Sequence, residues 1–157
     1  MKRMTILLLL LALVTSSLMI GVARAEDNIW ALCKTFVNIR ERPSTRSQAI
    51  GYLDCGDGVE TDWEMKNGWL HCINLSLEMT EGWVYAGYMI EDKPEVVNAV
   101  FTVVSDGRVA LRKEIGGKRK AWAKPGKSLK VLWRSNEWSL TNKGYIRSEF
   151  LEAQDDL

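Results

Sequence analysis

Histidine is almost missing from this chain: His71 is the only one, and the three cysteines, Cys33, Cys55 and Cys72, contain no Cys-x-x-Cys spacing. These shortages argue against a metal site, which draws several such ligands together at short spacing. They also leave a single imidazole to serve as base in any nucleophilic chemistry. Three thiols are an odd number, so at most one internal bridge forms and one cysteine is left over. Helical periodicity is scarce beyond the first 25 residues. Net charge is scarce too, because residues 26–157 hold 18 Lys/Arg against 20 Asp/Glu. No cofactor, metal or nucleic-acid partner is expected.

What the chain does have begins with Lys2-Arg3, the apolar run Ile6 to Val14, and Val22-Ala23-Arg24-Ala25. A basic start, an apolar middle and small residues three apart have the order and chemistry of a signal peptide cleaved after Ala25. The alternative is an uncleaved anchor, since apolar character resumes at Leu18-Met19-Ile20 and a span needs roughly 17–25 residues. Only in that case is membrane attachment expected. Otherwise the protein is secreted or extracytoplasmic, with association to the cell wall within its reach.

The remaining chain uses one skeleton twice. Val37-Asn38-Ile39-Arg40 is answered by Val109-Ala110-Leu111-Arg112, Asn67-Gly68-Trp69 by Asn136-Glu137-Trp138, and Gly82 to Met89 by Gly144 to Leu151. A repeat decides how many cores there are. The expected organisation is a signal peptide at 1–25, a first unit at 26–91, a linker at 92–98 marked by charge and Pro94, a second unit at 99–152, and an acidic tail at 153–157. Short β-rich stretches alternate with turn residues: Ile29–Leu32, Phe36–Ile39, Val59–Trp63, Trp69–Ile73 and Gly82–Tyr85, with Asn67-Gly68 as a strong hairpin signal. Five or six such strands predict a small curved barrel. Between the matched landmarks, Val37 to Trp83 against Val109 to Tyr145, the first unit has ten extra residues, and the excess sits in loops, most of it around 74–81.

At these residues the chain resembles the bacterial SH3-type family. The resemblance rests on Val37-Asn38-Ile39-Arg40, Arg42-Pro43-Ser44-Thr45, Ile50-Gly51-Tyr52-Leu53, Asn67-Gly68-Trp69, and Gly82-Trp83-Val84 with Tyr88-Met89. The second unit keeps less, with Ala110 for Asn38, Ile115-Gly116-Gly117 for Pro43-Ser44 and Tyr145 for Trp83, and is similar to a diverged copy. The resemblance implies an all-β chain of two tandem SH3-like barrels. It implies binding rather than catalysis, with cell-wall peptides as ligands. The wall-cleaving enzyme that often accompanies such modules finds no room in this chain.

Candidate residues follow. A Cys/His hydrolase would pair His71 with one of the three thiols, but His71 and Cys72 are neighbours in a strand and point to opposite faces. Whether two cysteines bridge or all three stay as thiols is left open. The seven tryptophans, at 30, 63, 69, 83, 122, 133 and 138, exceed what two tiny cores enclose at 150–250 Å² each. Trp30 and Trp83 are expected to fill the first barrel. Trp63 and Trp69, flanking the hairpin turn, are expected to form an aromatic ledge with Tyr85 or Tyr88. Asn38 and Arg40 join them as ligand-binding candidates.

Charge divides the halves: residues 26–98 hold six Lys/Arg and thirteen Asp/Glu, while residues 99–157 hold twelve and seven. Lys118, Arg119 and Lys120, with Lys113 nearby, therefore complete the binding candidates as a patch for an anionic wall polymer. The expected function is an exported, non-catalytic protein that binds peptidoglycan, its stem peptides or an anionic wall polymer. An adaptor that recruits a separately encoded envelope enzyme is the alternative.

Overall fold

The computed structural model describes residues 28–76 and 78–154. The expected leader and the last three residues of the expected tail lie outside them. The described chain is all-β, in two antiparallel sheets. Strands β1 (Asn28–Ala31), β2 (Phe36–Arg40), β3 (Ala49–Asp54), β4 (Gly58–Lys66), β5 (Trp69–Ile73), β6 (Glu81–Tyr85) and β7 (Met89–Ile90) make the first. The second contains β8 (Glu95–Val103), β9 (Val109–Arg112), β10 (Arg119–Ala123), β11 (Ser128–Arg134), β12 (Trp138–Thr141), β13 (Gly144–Arg147) and β14 (Leu151–Ala153).

The spatial orders, β3-β2-β6-β5-β4-β1-β7 and β10-β9-β13-β12-β11-β8-β14, correspond strand for strand. Each sheet has seven strands where five or six were expected. The segment Ile50-Gly51-Tyr52-Leu53 is part of strand β3. Residues 95–98 of the expected linker are strand as well, because they extend the run of β8 against β11. Among the described residues no helix is long and apolar enough to cross a membrane.

Local chemistry accounts for the registers. Asn67 and Gly68 both have positive φ, 53° and 81°, which is what a two-residue hairpin turn of matching twist requires, and the turn pairs Lys66 with Trp69. From there alternation sorts each strand into two faces. Val37 and Ile39 of β2, Leu70 and Cys72 of β5, and Val84 of β6 are buried together with Ile29, Ala31, Leu53 and Val59. Gly82 lies on that same inner face: a Cβ there would come within 2.6 Å of Ile39, so the packing of β2 on β6 needs glycine. In the second sheet Val103, Val109, Leu111, Leu129, Val131 and Ile146 form the corresponding core.

This sorting corrects two expectations. Trp83 does not fill the first core, because Gly82 and Val84 occupy the inward positions of β6 and turn Trp83 to the other face, where it lies against His71 with ring centroids 4.8 Å apart. Trp30 is likewise displaced by Ile29 and Ala31, and packs among the residues between the two sheets. The long 74–81 segment also has an inward role: Leu75 and Met79 pack on the first core, and Ser76 and Met79 hydrogen-bond each other.

A third apolar cluster joins the sheets: buried Leu32 and Ile90 from one side meet Trp138, Leu140 and Tyr145 from the other, with Cys55, Tyr88, Ile115 and Trp133 around them. Polar groups fix the orientation. The buried Tyr145 hydroxyl donates to the Leu32 carbonyl at 2.8 Å, Ile115 N–H donates to the Gly87 carbonyl at 2.9 Å, and Asn136 N–H donates to the Asp92 carboxylate at 2.6 Å. Burial raises the Tyr145 pKa, so the hydroxyl keeps its proton for this bond. Tyr145→Phe leaves the Leu32 carbonyl buried and unpaired, at a cost of about 1–3 kcal/mol. A thermal melt should show the loss, and an unchanged midpoint would mean that the bond contributes nothing to the contact between sheets.

Candidate functional site

On the outer face of the first sheet, alternation brings Asn38 and Arg40 of β2 to the same side as Trp69 of β5 and Tyr85 of β6. Trp69 and Tyr85 are paired directly across the strands, so their rings meet edge to face at 5.7 Å. Tyr88, on the 3₁₀ turn Ala86–Tyr88 that follows β6, meets Tyr85 at 5.7 Å in the same way. These five side chains, with Phe36, Val37 and Thr45, line one groove of about 300 Å³.

Each wall is held from behind. Arg40 Nη1 donates to the Ser47 carbonyl at 2.6 Å and the Ser47 hydroxyl accepts from Arg42 N–H at 2.9 Å, which pins the 41–48 loop carrying Thr45 along one side. The Tyr85 pKa is raised by burial and by the neighbouring Glu114 carboxylate, a residue of the second sheet's half of the chain. Trp69 is only 7% exposed, so it forms the floor beneath Tyr85 rather than a free platform. Phe36, at 53%, is the open ring of the groove and stands edge to face with Tyr52 at 5.8 Å.

The groove thus gathers Asn38, Arg40, Trp69, Tyr85 and Tyr88 but not the other candidates. Trp63 is 44% exposed and is not among the groove's lining residues. The register of β4 on β5 shifts between Thr61 and Met65, and within that bulge Trp63 has φ of 63°, an uncommon conformation for so bulky a side chain. The Thr61 hydroxyl fixes the bulge, donating to the His71 carbonyl at 2.7 Å and accepting from Trp63 N–H at 3.0 Å. The basic candidates are also divided. Arg119 lies over the Trp122 ring at 4.4 Å, Lys118 is exposed at the turn before β10, and Lys120 lines a separate cleft between the sheets.

That cleft, of about 430 Å³, is bounded by Cys33, Lys34, Arg112, Lys113, Lys120 and Tyr145 and shares Phe36 and Tyr88 with the groove. Phe36, Thr45, Lys34 and Arg112 were not singled out in the sequence. Phe36 could have been, because it alternates with Asn38 and Arg40 and so shares their face. The cleft residues come together only through the packing of the two sheets, which leaves no local signal.

The thiols and the histidine do not converge. Cys33 N–H donates to the Cys55 sulfur at 3.2 Å. The hydrogen bond between the two thiols raises the Cys33 pKa, with burial adding to it, and lowers that of Cys55. Cys72 is fully buried, which pushes its pKa up to about 12. His71 faces the opposite side, with Nδ1 2.8 Å from the Asp62 carboxylate and Nε2 3.8 Å from Glu81. This contact holds the Asp62 pKa below its usual value. Asp62, Glu64 and His71 offer ligand atoms within 4.8 Å of one another, but Asp62 and Glu64 are exposed, and Asp62 already accepts from Glu64 N–H and is hydrogen-bonded to the His71 ring.

Comparison with known proteins bears on the first sheet. Residues 35–90, which span β2 to β7, match the family model of the bacterial SH3 domain. No curated protein matches the chain. Among solved structures, NlpC2 from Trichomonas vaginalis aligns at 12% identity with a TM-score of 0.34, covering 82% of this chain and 48% of that one. NlpC1 from the same organism aligns at 12% with a TM-score of 0.33, covering 85% and 48%. The chain therefore spans about half the length of each.

Proposed function

We propose that the first sheet is a bacterial SH3-type module whose groove holds an extended peptide of cell-wall material, in a protein that is exported and does not catalyse a reaction. The observation that carries this reading is the convergence of Asn38, Arg40, Trp69, Tyr85 and Tyr88, from three strands and a turn, on one groove. Such a groove suits a short peptide. Ring faces at Phe36, Tyr85 and Tyr88 cover its aliphatic parts, while the Asn38 amide both donates to and accepts from a peptide backbone.

The separation of His71 from all three thiols supports a role without covalent chemistry, since a nucleophile needs its base within hydrogen-bond reach. The second sheet is read as a diverged copy of the first, supported by the shared strand order. Its counterpart of Trp83, Tyr145, is committed to the contact between sheets.

Retention of the secreted protein on purified wall sacculi tests the proposal. Phe36→Ala with Asn38→Ala removes an exposed ring and the backbone-reading amide, and should weaken retention roughly thirtyfold, equivalent to about 2 kcal/mol for a small hot spot. Melting should stay near that of the wild type. Retention equal to the wild type would remove the groove from the binding site. No retention of the wild-type protein would replace wall binding with the adaptor role.

A further inference from the structure

The second sheet carries a groove at the corresponding place, but its chemistry has been inverted. Phe36, Asn38, Arg40, Trp69, Tyr85 and Tyr88 correspond through the repeat to Arg108, Ala110, Arg112, Trp138, Arg147 and Phe150. All six counterparts line a cavity of about 440 Å³. Two aromatic walls have thus become guanidinium groups around a retained tryptophan floor.

We propose that this second groove, together with the cleft beside it, binds a linear polyanion. Arg147 lies over the Trp138 ring at 4.5 Å while Nη1 reaches the Glu137 carboxylate at 3.0 Å, which fixes the guanidinium plane and leaves its other N–H donors to a ligand. Arg112 is held by Nη1 donating to the Gly117 carbonyl at 2.6 Å. Fixed planar forks of this kind suit the paired oxygens of carboxylate or phosphate groups. Among the described residues, Asp106 is the one carboxylate that lines the groove.

Arg112 also lines the adjoining cleft, where Lys34, Lys113 and Lys120 continue the row of cations and, among the described residues, no carboxylate lines the wall. A single small anion would use one end of this track. A chain of repeated oxyanion groups uses its length, and the proposal therefore specifies a polymer.

The test uses the full chain at low salt with two probes, a linear polyphosphate and a polyglutamate. Both should bind, the tighter one indicating whether phosphate or carboxylate is the natural group, and affinity should fall as salt rises. Arg108→Gln with Arg147→Gln should weaken binding about tenfold, while Lys124→Gln with Lys127→Gln and Lys143→Gln, outside the track, should leave it within about twofold. Arg108→Gln alone, at an exposed position, gives the same direction if loss of Arg147 from Trp138 disturbs folding. The proposal fails if neither probe binds, if the arginine variants bind as the wild type, or if the lysine control loses as much. Retention of peptide by the first groove should be unchanged in the Arg108→Gln and lysine variants, so the two sites are judged separately.

Discussion

Trp69→Ala is expected to lower the melting midpoint by roughly 10–20 °C, while Phe36→Ala in the same groove moves it little. Both rings line one cavity, yet they differ in what surrounds them. Trp69 is 7% exposed and rests against Tyr85, whereas Phe36 is 53% exposed. Truncating a buried large aromatic costs about 3–5 kcal/mol through lost transfer and the void left behind. A domain of this size has only about 5–15 kcal/mol in total, and each kcal/mol moves the midpoint by several degrees. The groove of the Trp69 variant should lose its floor, so ligand retention and stability fall together. A Trp69→Ala protein that melts like the wild type would show that the ring is a free platform after all.

Oxidised glutathione is expected to join Cys33 to Cys55 and to spare Cys72. The thiolate of Cys55 attacks the glutathione disulfide, releasing one reduced glutathione. With Cys55 held in the mixed disulfide, the interaction that chiefly kept the proton on Cys33 is gone, and Cys33, losing that proton, then displaces the second glutathione and closes the internal bridge. The mass falls by two hydrogen atoms, and two reduced glutathiones account for the electrons. The lowered pKa of Cys55, caused by the hydrogen bond from Cys33, makes it the attacking group, so the reaction begins below the ordinary thiol range and accelerates as pH rises. Cys72 is fully buried in the first core with its pKa up to about 12 and offers almost no thiolate. The bridge closes a loop between positions 22 apart, which should raise stability by about 3 kcal/mol. Peptide mapping that finds Cys72 in the bridge, or a protein that stops at the glutathione adduct, would refute this pairing.

The parts of the fold legible in the sequence are those governed by neighbours in the chain. Asn67-Gly68 specifies its own backbone angles, and the strands around it follow from the alternation of Val37, Ile39, Leu70, Cys72 and Val84 with polar or aromatic residues. Alternation says which residues share a face, but not which face is inside. The inner face of β6 had to be small at position 82 because Ile39 lies against it, and that placed Trp83 outside, contrary to its size and apolarity. The groove was half legible for the same reason: Asn38, Arg40, Tyr85 and Tyr88 sit on strands and a turn already marked by the repeat. Trp63 went astray through a bulge, since the two extra residues that β4 carries between Thr61 and Met65 redirect the side chains near them. Lys120, Lys34 and Arg112 meet only where one sheet packs on the other, and no local pattern encodes that.

Tyr88 belongs to two neighbourhoods at once. Its ring meets Tyr85 in the groove and, at 6.3 Å, Tyr145 in the contact between sheets. One side chain therefore participates in two equilibria, the seating of a ligand and the docking of one half of the chain on the other. Linkage between equilibria is reciprocal: whatever factor docking contributes to ligand affinity, the ligand returns to docking. On the proposed reading of the groove, a ligand-saturated protein should then resist separation of its halves by that same factor.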